Sequence, residues 1–200
     1  MQNNQIIIGV DEAGRGPWAG PVVAAAVYLP EELSFQDSFL YNQITDSKKL
    51  SASQREKIFS FLRAKAFAAL GAACPLYIDK FNILEATFFA MRQSIFNLQK
   101  ILSAPIDKVL VDGNQKIPGL SISQEAIVKG DFREKNIAAA SIIAKVTRDR
   151  LMVVLDQKYP QYCFAEHKGY GTMKHREMLS QFGICAIHRK SFKPIKQFII

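Results

Sequence analysis

The 200-residue chain predicts an α/β sandwich whose working site lies along one edge of the sheet. Two patterns point there. Short apolar runs of strand character come before long stretches with helical period, and several of those runs end in carboxylates: Asp11 and Glu12, then Asp112, then Asp131. The first of them also breaks into a glycine-rich turn, Gly14 to Gly20. Neither Asp nor Glu favours a strand interior or tolerates full burial without a partner. A strand that delivers two of them to an edge needs compensation at that edge.

Element by element, Ile6 to Val10 reads as a buried strand. Because successive strand side chains face opposite ways, Asp11 and Glu12 are expected to share a site only where the strand ends and the glycines turn the chain. Pro21 to Leu29 is a second extended run, able to pair with the first as a hairpin and ended by Pro30. Glu31 to Thr45 has no clear period and reads as a loop. The polar knot Thr45 to Ser51 precedes a short helix over Ser53 to Leu62, capped by Ser51 or Ser53. Lys48 and Lys49 stand at that helix's start, where the dipole disfavours cations. They fit either a solvated loop or a phosphate contact.

Ala66 to Leu76 is small and apolar, broken by Gly71 and Pro75, and is assigned as a third strand against its helix propensity. Asp79 is expected to cap a helix from about Lys80 to Lys100, whose stripe Ile83, Leu84, Phe88, Met91, Ile95 and Leu98 repeats near the helical period and reads as core. Ile106 to Asp112 and Leu120 to Val128 give two more strands, ending at Asp112 and at Lys129-Gly130-Asp131. The alanine-rich segment Ile137 to Lys158 is a strong helix whose small side chains permit close packing on a sheet, and Pro160 stops it. Beyond it the chain is basic and interspersed with aromatics, with one further helix over Lys174 to Gln181. No internal repeat, low-complexity block or linker divides the chain, so one domain over 1–200 with a basic C-terminal extension from about 160 is expected.

The formal net charge of +8 favours a polyanionic partner, nucleic acid or an anionic membrane surface. No run reaches the roughly 18 apolar residues of a membrane span, and Met1 to Gln5 lacks the basic region and apolar core of a secretory signal. A cytoplasmic protein is expected, one that does not span a membrane. Cys74, Cys163 and Cys185 are odd in number and widely spaced, which suggests reduced thiols rather than a disulfide or zinc framework. His167, His175 and His188 lack tight metal-ligand spacing, so surface or substrate-contact roles are expected of them. The glycine turn lacks the third glycine of a dinucleotide fingerprint and any Gly-Lys-Ser/Thr ending, and no nucleophile-elbow signature is present.

Taken one at a time, Asp112 or Asp131 is better explained as a turn or cap residue. Together with Asp11 and Glu12 they imply more, because gathered carboxylates repel one another unless cations neutralise them. Hard oxygen ligands select Mg²⁺ or Mn²⁺. Basic surface around an acidic centre suits a phosphate backbone brought to bound metal, and the chemistry that follows is phosphodiester hydrolysis by two ions.

The motifs Asp11-Glu12-Ala13-Gly14-Arg15-Gly16-Pro17, Asp46-Ser47-Lys48, Val111-Asp112-Gly113-Asn114, Lys129-Gly130-Asp131, Ala139 to Asp149 and His167-Lys168-Gly169-Tyr170-Gly171-Thr172 occur in an order that resembles bacterial type 2 ribonuclease H, the ribonuclease HII family. The resemblance implies a ribonuclease H-like fold with a mixed central sheet of about five strands flanked by helices and a C-terminal helical extension. It implies endonucleolytic cleavage of RNA in RNA–DNA hybrids and at single ribonucleotides in duplex DNA, by a monomer using two Mg²⁺ or Mn²⁺ ions with substrate bound. By motif, Asp11, Glu12, Asp112 and Asp131 are similar to the family's metal-binding and catalytic carboxylates. Gly14, Arg15 and Gly16 resemble the loop that senses the ribose 2′-OH, Tyr170 the tyrosine that stacks at the RNA-to-DNA junction, and Lys48 and Asn82 further substrate contacts. Lys190 stands where an arginine is more usual in the His188-Arg189-x-Ser191-Phe192 tail. The apolar end Phe192 to Ile200 is left open between packing on the body, a partner contact and a sliding-clamp contact of the kind the family sometimes makes.

Overall fold

The computed structural model describes residues 5–33 and 38–199. Five strands form one mixed sheet in the order β3-β2-β1-β4-β5. β1 (Ile7–Ala13) lies at its centre, antiparallel to β2 (Val22–Tyr28) and parallel to β4 (Lys108–Asp112). β3 (Phe67–Ala73) pairs with β2 along its whole length, and β5 (Ser123–Ile127) runs parallel to β4 at the far edge. The third strand therefore forms despite its helix propensity, because a full antiparallel partner satisfies its backbone.

One expectation about β1 is corrected. The strand does not stop at Val10: its pairing with β2 continues through Asp11↔Ala25 and Glu12↔Ala24 to Ala13. Its pairing with β4 ends at Val10↔Val111. The two acids thus sit in a strand with one edge bonded and one edge open, opposite small alanines.

The helices cover both faces. α1 (Ser38–Asn42) falls within the stretch read as a loop, a correction; residues 34–37 of that stretch lie outside the described residues. α2 (Ala52–Lys65) is capped by Ser51, not Ser53, through a reciprocal capping box with Gln54. α3 (Pro75–Gln99) packs on one face, where Phe88, Met91, Ile95 and Leu98 meet Ile8, Val10 and Val111. A four-residue helix α4 (Gly130–Arg133) leads into α5 (Lys135–Lys158), which with α2 covers the other face. A side chain on Gly9 would collide with the backbone of Asn136 and Ile137, so its absence lets α5 lie directly on β1.

Asp79 does not cap α3, which starts earlier, at Pro75. The cap belongs to Asn82: it has φ +67°, interrupts the helix, and its Oδ1 accepts the N–H groups of Leu84 and Glu85 at 2.9 and 3.1 Å. Asp79 instead accepts from the Lys190 and Ser191 N–H groups at 3.0 and 2.8 Å and from the Ser191 hydroxyl at 2.7 Å.

Past α5, the chain forms α6 (Phe164–His167), α7 (Met173–Phe182) and α8 (Lys193–Lys196) around a smaller apolar cluster of Trp18, Met152, Tyr162, Phe164, Leu179 and Ile195. Phe192 and Phe198 pack against it, so the described part of the tail lies on the body; Ile200 and Met1 to Asn4 lie outside the described residues.

Candidate active site

Alternation along β1 sends its two acids to opposite faces. Asp11 is buried towards α5, where the Ser141 hydroxyl bonds its carboxylate and Ser141 Oγ lies 2.9 Å from Ser47 Oγ. Glu12 faces the α3 side and lines a cavity of about 160 Å³ with Leu84, Thr87 and Asp112. No turn brings the two together, contrary to the expectation. Asp112 joins them instead. It ends β4 beside the open edge of β1, its Oδ1 accepts the Gly130 N–H at 2.8 Å, and its charge acts on Asp11, Glu12 and Asp131.

Asp131 lies in the first turn of α4, buried, at a second cavity of about 500 Å³ shared with Asp112, Asp46 and Lys48. The left-handed conformation of Lys129 turns the chain from β5 into that helix.

The electrostatics are those of a repelling acid cluster. Asp11 is raised well above the ordinary carboxylate range, by burial first, then by Glu12 and Asp112. Glu12 is raised by burial and held back by Arg15, whose Nη1 lies 3.3 Å from Oε1. Asp131 is pushed up to about 6 by burial, Asp112 and Asp46, with Lys48 opposing. Among the described residues no three His, Cys, Asp or Glu side chains close into a ready metal cage. The acids instead follow the sheet edge, with Asp112 in the middle. An all-oxygen donor set under mutual repulsion fits hard divalent cations.

The glycine turn begins where β1 ends. Gly14 has φ +98°, and a Cβ there would strike the Arg148 side chain, so the turn at this position requires glycine. Gly14, Arg15 and Gly16 line a third cavity of about 390 Å³ with Glu12, Lys48, Lys145 and Tyr170. Tyr170 is 43 % exposed, and Lys145 Nζ and the Arg148 guanidinium lie 5.8 and 5.9 Å from its ring centre. Glu12 and Arg15 belong to both the first and third cavities, Asp112 to the first and second, and Lys48 to the second and third. The three cavities share walls and form one groove past Glu12, Asp112 and Asp131, while the buried Asp11 lines none of them. Asn82 lines none of the three; its carboxamide is engaged in capping, two residues before Leu84 at the groove wall.

The histidine expectation is corrected. His167, His175 and His188 are buried, not at the surface, and they converge: the rings of His167 and His175 stack at 4.5 Å, and Nε2 of His175 lies 3.0 Å from Nε2 of His188. The aromatic cluster behind Tyr170 gathers residues whose sequence spacing gave no sign of it.

Sequence reasoning also passed over Asp46, Ser141 and Lys145. Asp46 carried a signal, a carboxylate inside the polar knot with Lys48. Lys145 offered only its helical offset from Ser141, which places both on one side of α5. Two buried arginines were missed entirely: Arg148 and Arg189, 1 % and 0 % exposed, which bond backbone carbonyls of the glycine turn.

A family model described as Ribonuclease HII matches residues 8–195. The ribonuclease HII of Acetivibrio thermocellus is 49% identical over 197 residues, covering 98% of this chain and 72% of that protein. Among solved structures, the ribonuclease H2 of Pyrococcus horikoshii OT3 superposes with a TM-score of 0.74 at 29% identity, covering 96% of each chain. The ribonuclease HII of Archaeoglobus fulgidus, solved in complex with PCNA, superposes with a TM-score of 0.73 at 26% identity over 94% of this chain and 95% of its own.

Proposed function

This chain belongs to the ribonuclease HII family and is a metal-dependent ribonuclease H endonuclease, and from that premise we propose that it nicks duplex DNA on the 5′ side of single embedded ribonucleotides as well as cutting longer RNA–DNA hybrids. The observation that carries this is the shared groove: Glu12 belongs both to the acid edge and to the cavity lined by the glycine turn and Tyr170. A group that holds the reacting phosphate and groups able to read the adjoining sugar are thereby neighbours.

Asp11, Glu12, Asp112 and Asp131 would hold the cations, two Mg²⁺ or Mn²⁺ ions with substrate in place. Such ions supply an activated water and a stabilised leaving oxygen, leaving 5′-phosphate and 3′-hydroxyl ends. Arg15 and Lys48 flank the acids and offer positive charge to the phosphates on either side. The 2′-OH distinguishes RNA from DNA, and the backbone of Gly14-Arg15-Gly16, which lines the cavity beside Glu12, would read it. Tyr170 supplies a platform that stacks without demanding sequence. Asn82 is a substrate contact only through the groove wall it helps shape.

The whole chain acts in this proposal as one monomeric domain in the cytoplasm, with the segment from about 160 extending the substrate surface. No helix of the described residues is long and apolar enough to cross a membrane. The A. fulgidus relative forms a complex with PCNA, and a clamp contact of this chain made through its tail would need Phe198 to leave the apolar cluster it packs against.

The test is incubation with Mg²⁺ or Mn²⁺ and a duplex DNA containing one ribonucleotide. A nick on its 5′ side with a 3′-hydroxyl end is expected. Intact substrate across a range of both ions would end this reading.

A further inference from the structure

Two consecutive residues of the C-terminal segment anchor two parts of the groove wall, the glycine turn directly and Tyr170 through His175. Arg189 is wholly buried, lies over the Phe192 ring at 5.1 Å, and hydrogen-bonds carbonyls: its Nη2 donates to Gly14 O at 2.5 Å, Nη1 to Arg15 O at 2.8 Å and Nε to Gly20 O at 3.0 Å. A trans peptide points its C=O and the following N–H in opposite directions. Drawing the Gly14 and Arg15 carbonyls onto Arg189 therefore turns the N–H groups of Arg15 and Gly16 away from it. Among the described residues neither N–H bonds another backbone group outside the helices and strands. The guanidinium fork fits this task because it holds several acceptors in a fixed plane, which an ammonium does not.

His188, the preceding residue, begins a one-way chain. The Cys185 N–H donates to His188 Nδ1 at 2.8 Å, which leaves the proton of the neutral ring on Nε2. That proton is donated to His175 Nε2 at 3.0 Å, and His175 Nδ1 donates to the Tyr170 carbonyl at 2.9 Å. The segment itself is pinned: Gly20 N–H bonds Ile187 O, Arg189 N–H bonds Trp18 O, and Trp18 N–H bonds Gly169 O.

We propose that His188 and Arg189 are positioning residues that fix the glycine turn and Tyr170 relative to each other, so that a sugar is read at one register of the groove. This rests on the reading of Gly14, Arg15, Gly16 and Tyr170 as substrate contacts. Its consequence differs between substrates. A uniform hybrid presents a 2′-OH at every register, so a loosened reader still finds one, whereas a single ribonucleotide offers only one productive register.

The experiment measures kcat and KM of the Mg²⁺-loaded protein on a duplex DNA with one ribonucleotide and on a uniform RNA–DNA hybrid. Arg189→Lys is expected to lower kcat/KM on the single ribonucleotide about tenfold or more, in line with the cost of misplacing a reacting group, with a loss several-fold smaller on the hybrid. His188→Ala is expected to shift the same ratio in the same direction, and His188→Gln, which keeps a donor near the Nε2 position, to restore most of it. Equal losses on both substrates, leaving the parental ratio unchanged, would overturn the proposal, since general weakening of the fold lowers both alike. If Arg189→Lys does not fold, the His188 pair decides by the same ratio. A parent protein that cuts neither substrate overturns the functional reading itself, before any variant is compared.

Discussion

The carboxyl of Asp11, already raised by burial and by Glu12, is raised further by Asp112, which stands just beyond the last β1–β4 pair. Asp112→Asn removes that repulsion and keeps an oxygen for the Gly130 N–H. The variant is expected to melt at or above the parent temperature, to bind hybrid with affinity near the parent's, and to lose about 10²-fold or more in kcat, the scale of removing one electrostatic stabiliser. Cleavage within a few-fold of the parent would take Asp112 out of the chemistry.

Cations that relieve the cluster should stabilise the fold. Titrating Mg²⁺ into the metal-stripped protein is expected to raise Tm, with a stabilisation of about 2.7 kcal/mol at a hundred times the dissociation constant. The rise should be much reduced in Asp112→Asn. A Tm indifferent to Mg²⁺ would mean that the acids do not hold it without substrate.

The buried histidines set an acid limit. Burial, ahead of their neighbours, lowers His175 and His188 from 6.5 to about 4. The unfolded chain takes up protons below about 6.5 that the folded chain refuses until about 4, so this contribution is complete above pH 6.5 and is lost as pH falls towards 4. Asp131, raised to about 6, has the opposite sign: the folded chain binds its proton first and gains stability as pH falls. Asp11 and Glu12, also raised, share that sign, so the comparison is a difference: between pH 7 and 4, urea melts are expected to show stability falling more steeply, or rising less, in Asp131→Asn than in the parent. The same slope in variant and parent would contradict the raised carboxyl of Asp131.

Gly14→Ala places a Cβ against the Arg148 side chain at φ +98°. A loss of about 1–3 kcal/mol is expected from the backbone conformation alone, read as a lower midpoint in denaturant with cleavage of the single-ribonucleotide duplex reduced as well. A variant as stable as its parent would show that the turn relaxes without cost.

Tyr170→Ala removes a ring that is 43 % exposed, so folding should change little. Loss of a stacking platform costs about 1–3 kcal/mol per base, and KM on the single-ribonucleotide duplex is expected to rise accordingly. Unchanged cleavage would remove Tyr170 from the site.

Much of this architecture is visible in the primary structure, and the parts that are not share a cause. Ile6 to Val10, Ile106 to Asp112 and the stripe on α3 announce themselves because burial imposes a period on local sequence. The acids stood out because they interrupt that period. The continuation of β1 through Glu12 did not, since it depends on Ala24 and Ala25 lying opposite, a pairing no local pattern encodes. Asn82 looked like one more polar helix residue; its positive φ is a property of the packed chain. His167, His175 and His188 looked dispersed because convergence of two helices and a late segment leaves no fixed spacing. Arg189 looked like part of a basic surface, yet it is wholly buried among carbonyls.

The hydrogen bonds from Arg189 to Gly14, Arg15 and Gly20 span sequence separations of 175, 174 and 169 residues. All four acids and the whole sheet are made before that arginine leaves the ribosome. Because a domain folds as a unit, the four acids of a nascent chain would wait, not yet folded into a site, for the arginine proposed to anchor the glycine turn. On the proposed roles, cutting and discrimination would then arrive in one step, late in synthesis.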